Sequence, residues 1–187
     1  MGRRISRRIW IGDRYEGHIF YVQKDDIKWR IGKKLSERSY FIPKYSDQGK
    51  TTAWTEAQAV FPCEQVYGPS VGAQAILKVR MQIPPEEYPS LDPAVRARHA
   101  TTDYSPRAQG EVNSLAYFKN NGCSVTPRLL STAVESQPIN DPSMPVPGGY
   151  IFSILMERVP GVPLGDFWTY DPEKREKIRN SFRKGMM

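Results

Sequence analysis

Ala75-Ile76-Leu77-Lys78-Val79-Arg80-Met81 is the stretch on which the reading of this chain turns. Its aliphatic residues mark a strand with little contact with water, and Lys78 interrupts it. A buried ammonium needs a partner, because desolvating a charge without compensation costs far more than burying an aliphatic side chain gains. The strand has a clear setting. Cys63 to Tyr67 reads as a preceding strand, Gly68-Pro69-Ser70-Val71-Gly72 as a turn, and Ala73 to Met81 as the strand that pairs back, stopped by Pro84-Pro85. Thr55 to Val60, just upstream, fits the start of a short helix or of a strand. Pro84 to Thr102 reads as an irregular excursion.

The partner is expected on the next helix. Ser105-Pro106 is a helix start, with Ser105 as N-cap and proline in the first turn. Glu111, Val112, Leu115, Ala116 and Lys119 then share one side, so an acid travels with an apolar stripe. Asn121-Gly122 ends the helix. Arg128 to Val134 reads as a strand, and Gln137 to Gly149, with four prolines, as a loop. Tyr150-Ile151-Phe152-Ser153-Ile154-Leu155-Met156 is the most hydrophobic segment and reads as a central strand. It leads into Glu157-Arg158-Val159-Pro160-Gly161-Val162-Pro163, an extended crossover, and then into one or two helices over Asp166 to Tyr170 and Pro172 to Lys184.

Lysine-bearing strand, acid-bearing helix, two strands, extended crossover and helix, in that order, resemble the small lobe and hinge of protein-kinase-like phosphotransferases, including the aminoglycoside-phosphotransferase-like branch. The resemblance covers roughly residues 60 to 187. In it Ala75-Ile76-Leu77-Lys78 stands where the family has its V-A-I-K strand, Glu111 is the ion-pair partner, and Met156-Glu157-Arg158-Val159-Pro160-Gly161 resembles the hinge. The resemblance implies an α+β fold: a mainly antiparallel twisted sheet with one packed helix, followed by C-terminal helices. It also implies ATP as ligand. Lys78 and Glu111 would hold phosphates, the Glu157 carbonyl and Val159 amide would meet the adenine, Met156 would sit at the back of the pocket, and Asp166 would reach the ribose. Other roles stay open at this point: Lys78 snorkelling to an edge, a strand end after Met156 satisfied by water, Asp166 as a helix cap.

Two departures limit the activity expected. No G-x-G-x-x-G precedes the Lys78 strand, and the sequence ends at Met187 before any counterpart of the catalytic-loop aspartate, the metal-binding asparagine or the D-F-G aspartate. A phosphotransferase reaction by this chain alone, and a Mg²⁺ site, are therefore not expected, and a truncated or degenerate lobe is. The sheet face that would meet a large lobe is then expected to favour a protein partner or self-association.

The charge points to an alternative. Residues 1–50 hold thirteen Lys/Arg against six Asp/Glu, whereas the remainder is balanced at fourteen of each, so the net +7 resides in the N-terminal quarter. A non-enzymatic module docking through that quarter on an acidic partner or an anionic membrane surface is the competing function. Met1-Gly2-Arg3-Arg4-Ile5-Ser6 fits the myristoylation pattern at Gly2 and a basophilic phosphorylation site at Ser6. Aromatics around Ile9-Trp10-Ile11, His18 to Val22, Ile27 to Ile31 and Tyr40-Phe41-Ile42 read as short strands. With no accompanying nucleic-acid motif, nucleic acid is not an expected partner. Gly49-Lys50-Thr51 is not a P-loop, since Lys44 stands where the loop needs glycine, and Ser46 to Gly49 reads as a polar turn. Cys63 and Cys123 are expected as free thiols in a reducing, cytoplasmic setting, with peripheral membrane contact as an option. His18 and His99 have no metal-spaced companions. The organisation expected is a basic extension over 1–50, a kinase-like small lobe over 51–160, and a hinge exit with the start of a helical lobe over 161–187.

Overall fold

The computed structural model describes residues 9–45, 51–85, 92–161 and 165–185. The expectations for Gly2, Ser6, the turn at 46–49 and Val162-Pro163 fall outside the described residues. The fold is α+β, built on a curled antiparallel sheet: β1 (Ile19–Val22), β2 (Ile27–Ile31), β3 (Ser36–Tyr45), β4 (Thr51–Tyr67), β5 (Gln74–Gln82), β6 (Leu129–Ser136) and β7 (Tyr150–Glu157), with helices α1 (Pro93–Ala97), α2 (Pro106–Asn120) and α3 (Pro172–Gly185). The strand order is β1-β2-β4-β5-β7-β6, and β3 pairs with β4 off this path. No described helix is long and apolar enough to cross a membrane.

β4 organises the sheet. One edge pairs with β5 from Glu56 to Glu64, while the other pairs with β3 from Thr51 to Val60 and with β2 from Cys63 to Tyr67. Pro62, which has no N–H for a ladder, falls where β4 changes partner from β3 to β2, the place a central strand tolerates it. There the Gly32 N–H donates to the Pro62 carbonyl at 2.8 Å. A Cβ on Gly32 would stand 3.1 Å from the Pro62 ring and 3.2 Å from its carbonyl oxygen, so a side chain there would push Pro62 away by a few tenths of an ångström.

One open reading is settled and two change. Thr55 to Val60 resolves as strand within β4. The excursion over 84–102 contains α1, started by Asp92, whose carboxylate accepts from the Ala94 N–H at 2.8 Å. Ile9-Trp10-Ile11 is not a strand: the Glu37 carboxylate accepts from the N–H groups of Trp10, Ile11 and Gly12 at 2.6, 2.8 and 3.0 Å, which replaces a ladder. That anchor seats Ile11 in the core.

The sheet has two unlike faces. Ala57, Ala59, Phe61 and Cys63 of β4, Ala75, Leu77, Val79 and Met81 of β5, and Ile151 and Leu155 of β7 join Ile11, Trp29 and Ile31 in one apolar cluster. Their neighbours of opposite parity (Ile76, Tyr150, Phe152, Ile154 and Met156) pack with Ala108, Val112 and Leu115 of α2. β7 is therefore covered on both sides, which explains why its run from Tyr150 to Met156 is apolar at every position but Ser153 and buried throughout.

Candidate functional site

The face under α2 carries the charges. Lys78 and Arg80 are two residues apart on β5, so both side chains leave the same side of the sheet. The register sets Lys78 between Val60 and Ile154, and Arg80 between Gln58 and Phe152. Glu56 lies on β4 opposite Gln82. Ser105 caps α2: its Oγ accepts from the Ala108 N–H at 3.2 Å and donates to Glu56 Oε2 at 2.7 Å. The helix start is thus tied to the sheet by one hydroxyl.

A chain of ion pairs follows. Arg80 Nη1 donates to Glu56 Oε1, and Arg80 Nη2 donates to Glu111 Oε2 at 2.5 Å. Lys78 Nζ donates to Glu111 Oε1, the other oxygen of the same carboxylate. The Tyr150 hydroxyl adds a bond to Glu56 Oε2 at 3.2 Å. Two acids and two bases make the cluster neutral, which is what burial demands. Burial is graded along it. The side chains of Glu56 and Arg80 are 0% and 2% exposed, while those of Lys78 and Glu111 are 19% and 22% exposed. The inner pair is sealed, and the outer pair is within reach of a solute.

Glu111 reports the balance of forces. Burial alone would raise its carboxyl above the ordinary value, but the hydrogen bonds from Lys78 and Arg80, with the charges of both, outweigh burial and hold it below. The Tyr150 phenol is pushed up, first by burial and then by the neighbouring Glu56 carboxylate. The Arg80 Nε–H, also buried, has no protein partner.

The other expected site residues lie at the far end of β7. Met156 is buried opposite Ile76 on the face that carries Lys78. The Glu157 N–H donates to the Arg128 carbonyl at 2.9 Å, and its carboxylate accepts from Arg128 Nε at 3.1 Å, so that side chain is engaged with an exposed arginine. Val159 is 46% exposed in the segment leaving the sheet. Asp166 opens the 3-10 turn Phe167–Thr169, but its carboxylate makes no capping bond there; its main-chain carbonyl accepts from the Thr169 hydroxyl at 2.7 Å. Lys78 and Glu111 are thus brought into contact, Met156 shares their face, and Glu157, Val159 and Asp166 stand further along the chain's exit from the sheet.

Sequence reasoning missed Arg80, Glu56 and the second role of Ser105. A signal was present: Glu56-Ala57-Gln58-Ala59 alternates polar with small apolar residues at the period of a strand, and Arg80 repeats the parity of Lys78. Several bases of the N-terminal quarter are occupied. Arg14 donates to the Met144 sulfur at 3.0 Å, Lys34 pairs with Glu37 at 2.9 Å, and Lys28 lies over the rings of Tyr21 and Tyr67 at 5.7 and 5.2 Å. Arg30, Lys33 and Arg38 are exposed. Comparison of the chain with protein-family models, with curated proteins and with solved structures gives no match.

Proposed function

We propose that the face beneath α2 is the phosphate side of a nucleotide-binding, kinase-like lobe, and that these residues bind ATP without transferring its phosphate. The observation that carries the reading is the Lys78–Glu111 pair, formed between a central strand and the helix 33 residues on. A lysine that pairs with a helix-borne glutamate and remains partly open to solvent can offer its remaining N–H donors to phosphate oxygens.

The layout of β7 supports the same reading. Glu157 lies opposite Ala75, three residues along β5 from Lys78. That offset is on the order of 10 Å, comparable to the reach from base to phosphates in an extended nucleotide. In this reading Met156 backs the base, the Glu157 carbonyl and Val159 amide meet its edge, and Asp166 reaches the ribose. Gly68 and Gly72, both at positive φ, serve the β4–β5 turn and are given no phosphate-clamping role. The proposed function is confined to binding, with neither a catalytic base nor a metal ligand assigned. The competing reading, docking of the N-terminal quarter on an acidic surface, would draw on Arg30, Lys33 and Arg38.

Calorimetric titration with ATP tests the proposal. Saturable binding by the wild type, weakened about tenfold or more in Lys78→Met, is the expected result. No heat and no thermal shift for the wild type at millimolar ATP would overturn it. Pelleting of the full chain with phosphatidylserine vesicles, lost in an Arg30→Ala/Lys33→Ala/Arg38→Ala variant, would favour docking instead.

A further inference from the structure

We infer that Arg80 is a positioning residue that frees Lys78 for an anionic ligand by holding Glu111 in its place. The inference rests on the phosphate-side reading above and specifies how that site works. Glu111 offers one carboxylate oxygen to each cation: Oε1 to Lys78 and Oε2 to Arg80. If Lys78 were its only partner, an incoming phosphate would have to draw the ammonium from a carboxylate that is 22% exposed and would be left without a cation. That loss would be charged against binding. With Arg80 in place, Glu111 keeps a charge-assisted bond when Lys78 turns outward, so the ammonium can be shared at little cost.

The geometry of Arg80 suits this role and no outward one. Its side chain is 2% exposed, so it cannot meet a solute itself. One terminal nitrogen is fixed by Glu56 and the other faces Glu111, the forked arrangement that a guanidinium provides and an ammonium does not. Glu56 is in turn held by Ser105 and Tyr150, so the fork is anchored to the sheet and to the first turn of α2. The same Ser105 that starts the helix therefore indirectly sets where Glu111 lies, a turn and a half further on. Facing Glu111 are Lys78 and Arg80 from β5, with Glu56 from β4 behind Arg80. The pairing is complete without a further charge.

Two variants test the inference on the full chain. Arg80→Lys keeps a cation for Glu56 but has one nitrogen where the fork has two, and Glu56→Gln/Arg80→Met removes both inner charges together at similar volume. Two readouts are taken: ATP affinity by calorimetry, and acylation of Lys78 by an N-hydroxysuccinimide ester at fixed pH, followed by peptide mass spectrometry. In Glu56→Gln/Arg80→Met, Glu111 is left to Lys78 alone, and in Arg80→Lys a single nitrogen has to serve Glu56 and Glu111, so the hold on Glu111 weakens. Lys78 acylation should slow severalfold and ATP affinity should fall about tenfold, while Glu111→Gln, which releases Lys78, should speed acylation. Carboxyl-detected NMR of the glutamates should show Glu111 titrating at higher pH once Arg80 no longer donates to it, a change that loss of packing alone would not give. Unchanged Lys78 acylation in both folded variants overturns the inference. A wild type that does not bind ATP but shows the acylation differences overturns the nucleotide reading and leaves the role of Arg80 standing.

Discussion

The two faces of the sheet are made by the same strands and solve burial in opposite ways. On β5, Leu77, Val79 and Met81 enter an apolar cluster, while Lys78 and Arg80, one residue out of step, enter a chain of ion pairs. The apolar face is held by many small, interchangeable contacts, and any one of them can be lost at a graded cost. The charged face depends on a few partners whose removal leaves a group uncompensated. The comparison teaches that the face under α2 is specified by pairing and the opposite face by volume.

The largest expected effect comes from breaking each face at its centre. Phe61→Ala should cost about 3–5 kcal/mol through the cavity it leaves, and Glu56→Ala a similar roughly 3–5 kcal/mol by leaving the Arg80 guanidinium buried without its partner. The two losses should differ in how they are repaired. Adding Arg80→Met to Glu56→Gln should recover most of the stability lost by Glu56→Ala, as read by urea unfolding, because the inner pair is then uncharged and Glu111 still has Lys78. A double variant as unstable as Glu56→Ala would show that the charged face is held by shape after all.

Acid should act next, and on both faces. Glu111 under α2 is held below its ordinary value against the opposing effect of burial by Lys78 and Arg80. Glu37, also opposed by burial, is held low by the backbone N–H of Ile11, by Lys34, and by the N–H groups of Trp10 and Gly12. A carboxyl whose folded value lies below its unfolded one stabilises the fold fully above the unfolded value, and the contribution disappears as pH falls through the folded one. Urea midpoints should therefore be flat down to about pH 5 and decline below it. The decline should be shallower in Glu37→Gln, which removes one contribution, and in Lys78→Met, which leaves Glu111 to Arg80 alone and reduces the other. An unchanged acid slope in both would mean that neither carboxylate is held as described.

The smallest effect concerns the thiols and leaves stability untouched. Burial pushes the Cys63 thiol, within the apolar cluster, up to about 12, whereas the thiol of Cys123, beyond the end of α2, is lowered by its bond with Thr126 and by the Val125 backbone. Iodoacetamide at pH 8 should alkylate Cys123 and spare Cys63 until urea is added. Equal rates would show that the apolar face opens locally.

Much of the fold was legible because its signals are local. Ser105-Pro106 and Asn121-Gly122 bracket α2 closely, and the run from Tyr150 to Met156, apolar except at Ser153, is the strand covered on both faces. Lys78 asked for an acid and Glu111 answered, since one apolar strand and one helix whose packed side runs through Ala108, Val112 and Leu115 leave few ways to pair them. The extent of β4 was less legible. Thr51 to Tyr67 is long for a strand and contains Pro62, and only the change of partner from β3 to β2 explains why a proline is accepted there.

By itself the sequence determined which residues alternate, where α2 begins and ends, and that a charge lay in an apolar strand. These follow from period and capping, which involve residues a few places apart. Tertiary structure alone decided that Arg80 is sealed while Lys78 stays within reach of solvent, and that Glu56, Ser105 and Tyr150 meet in one place. Those facts depend on strand register and on where α2 lies across the sheet. A charge is bound by whatever stands next to it in space, and periodicity along the chain does not encode that neighbour.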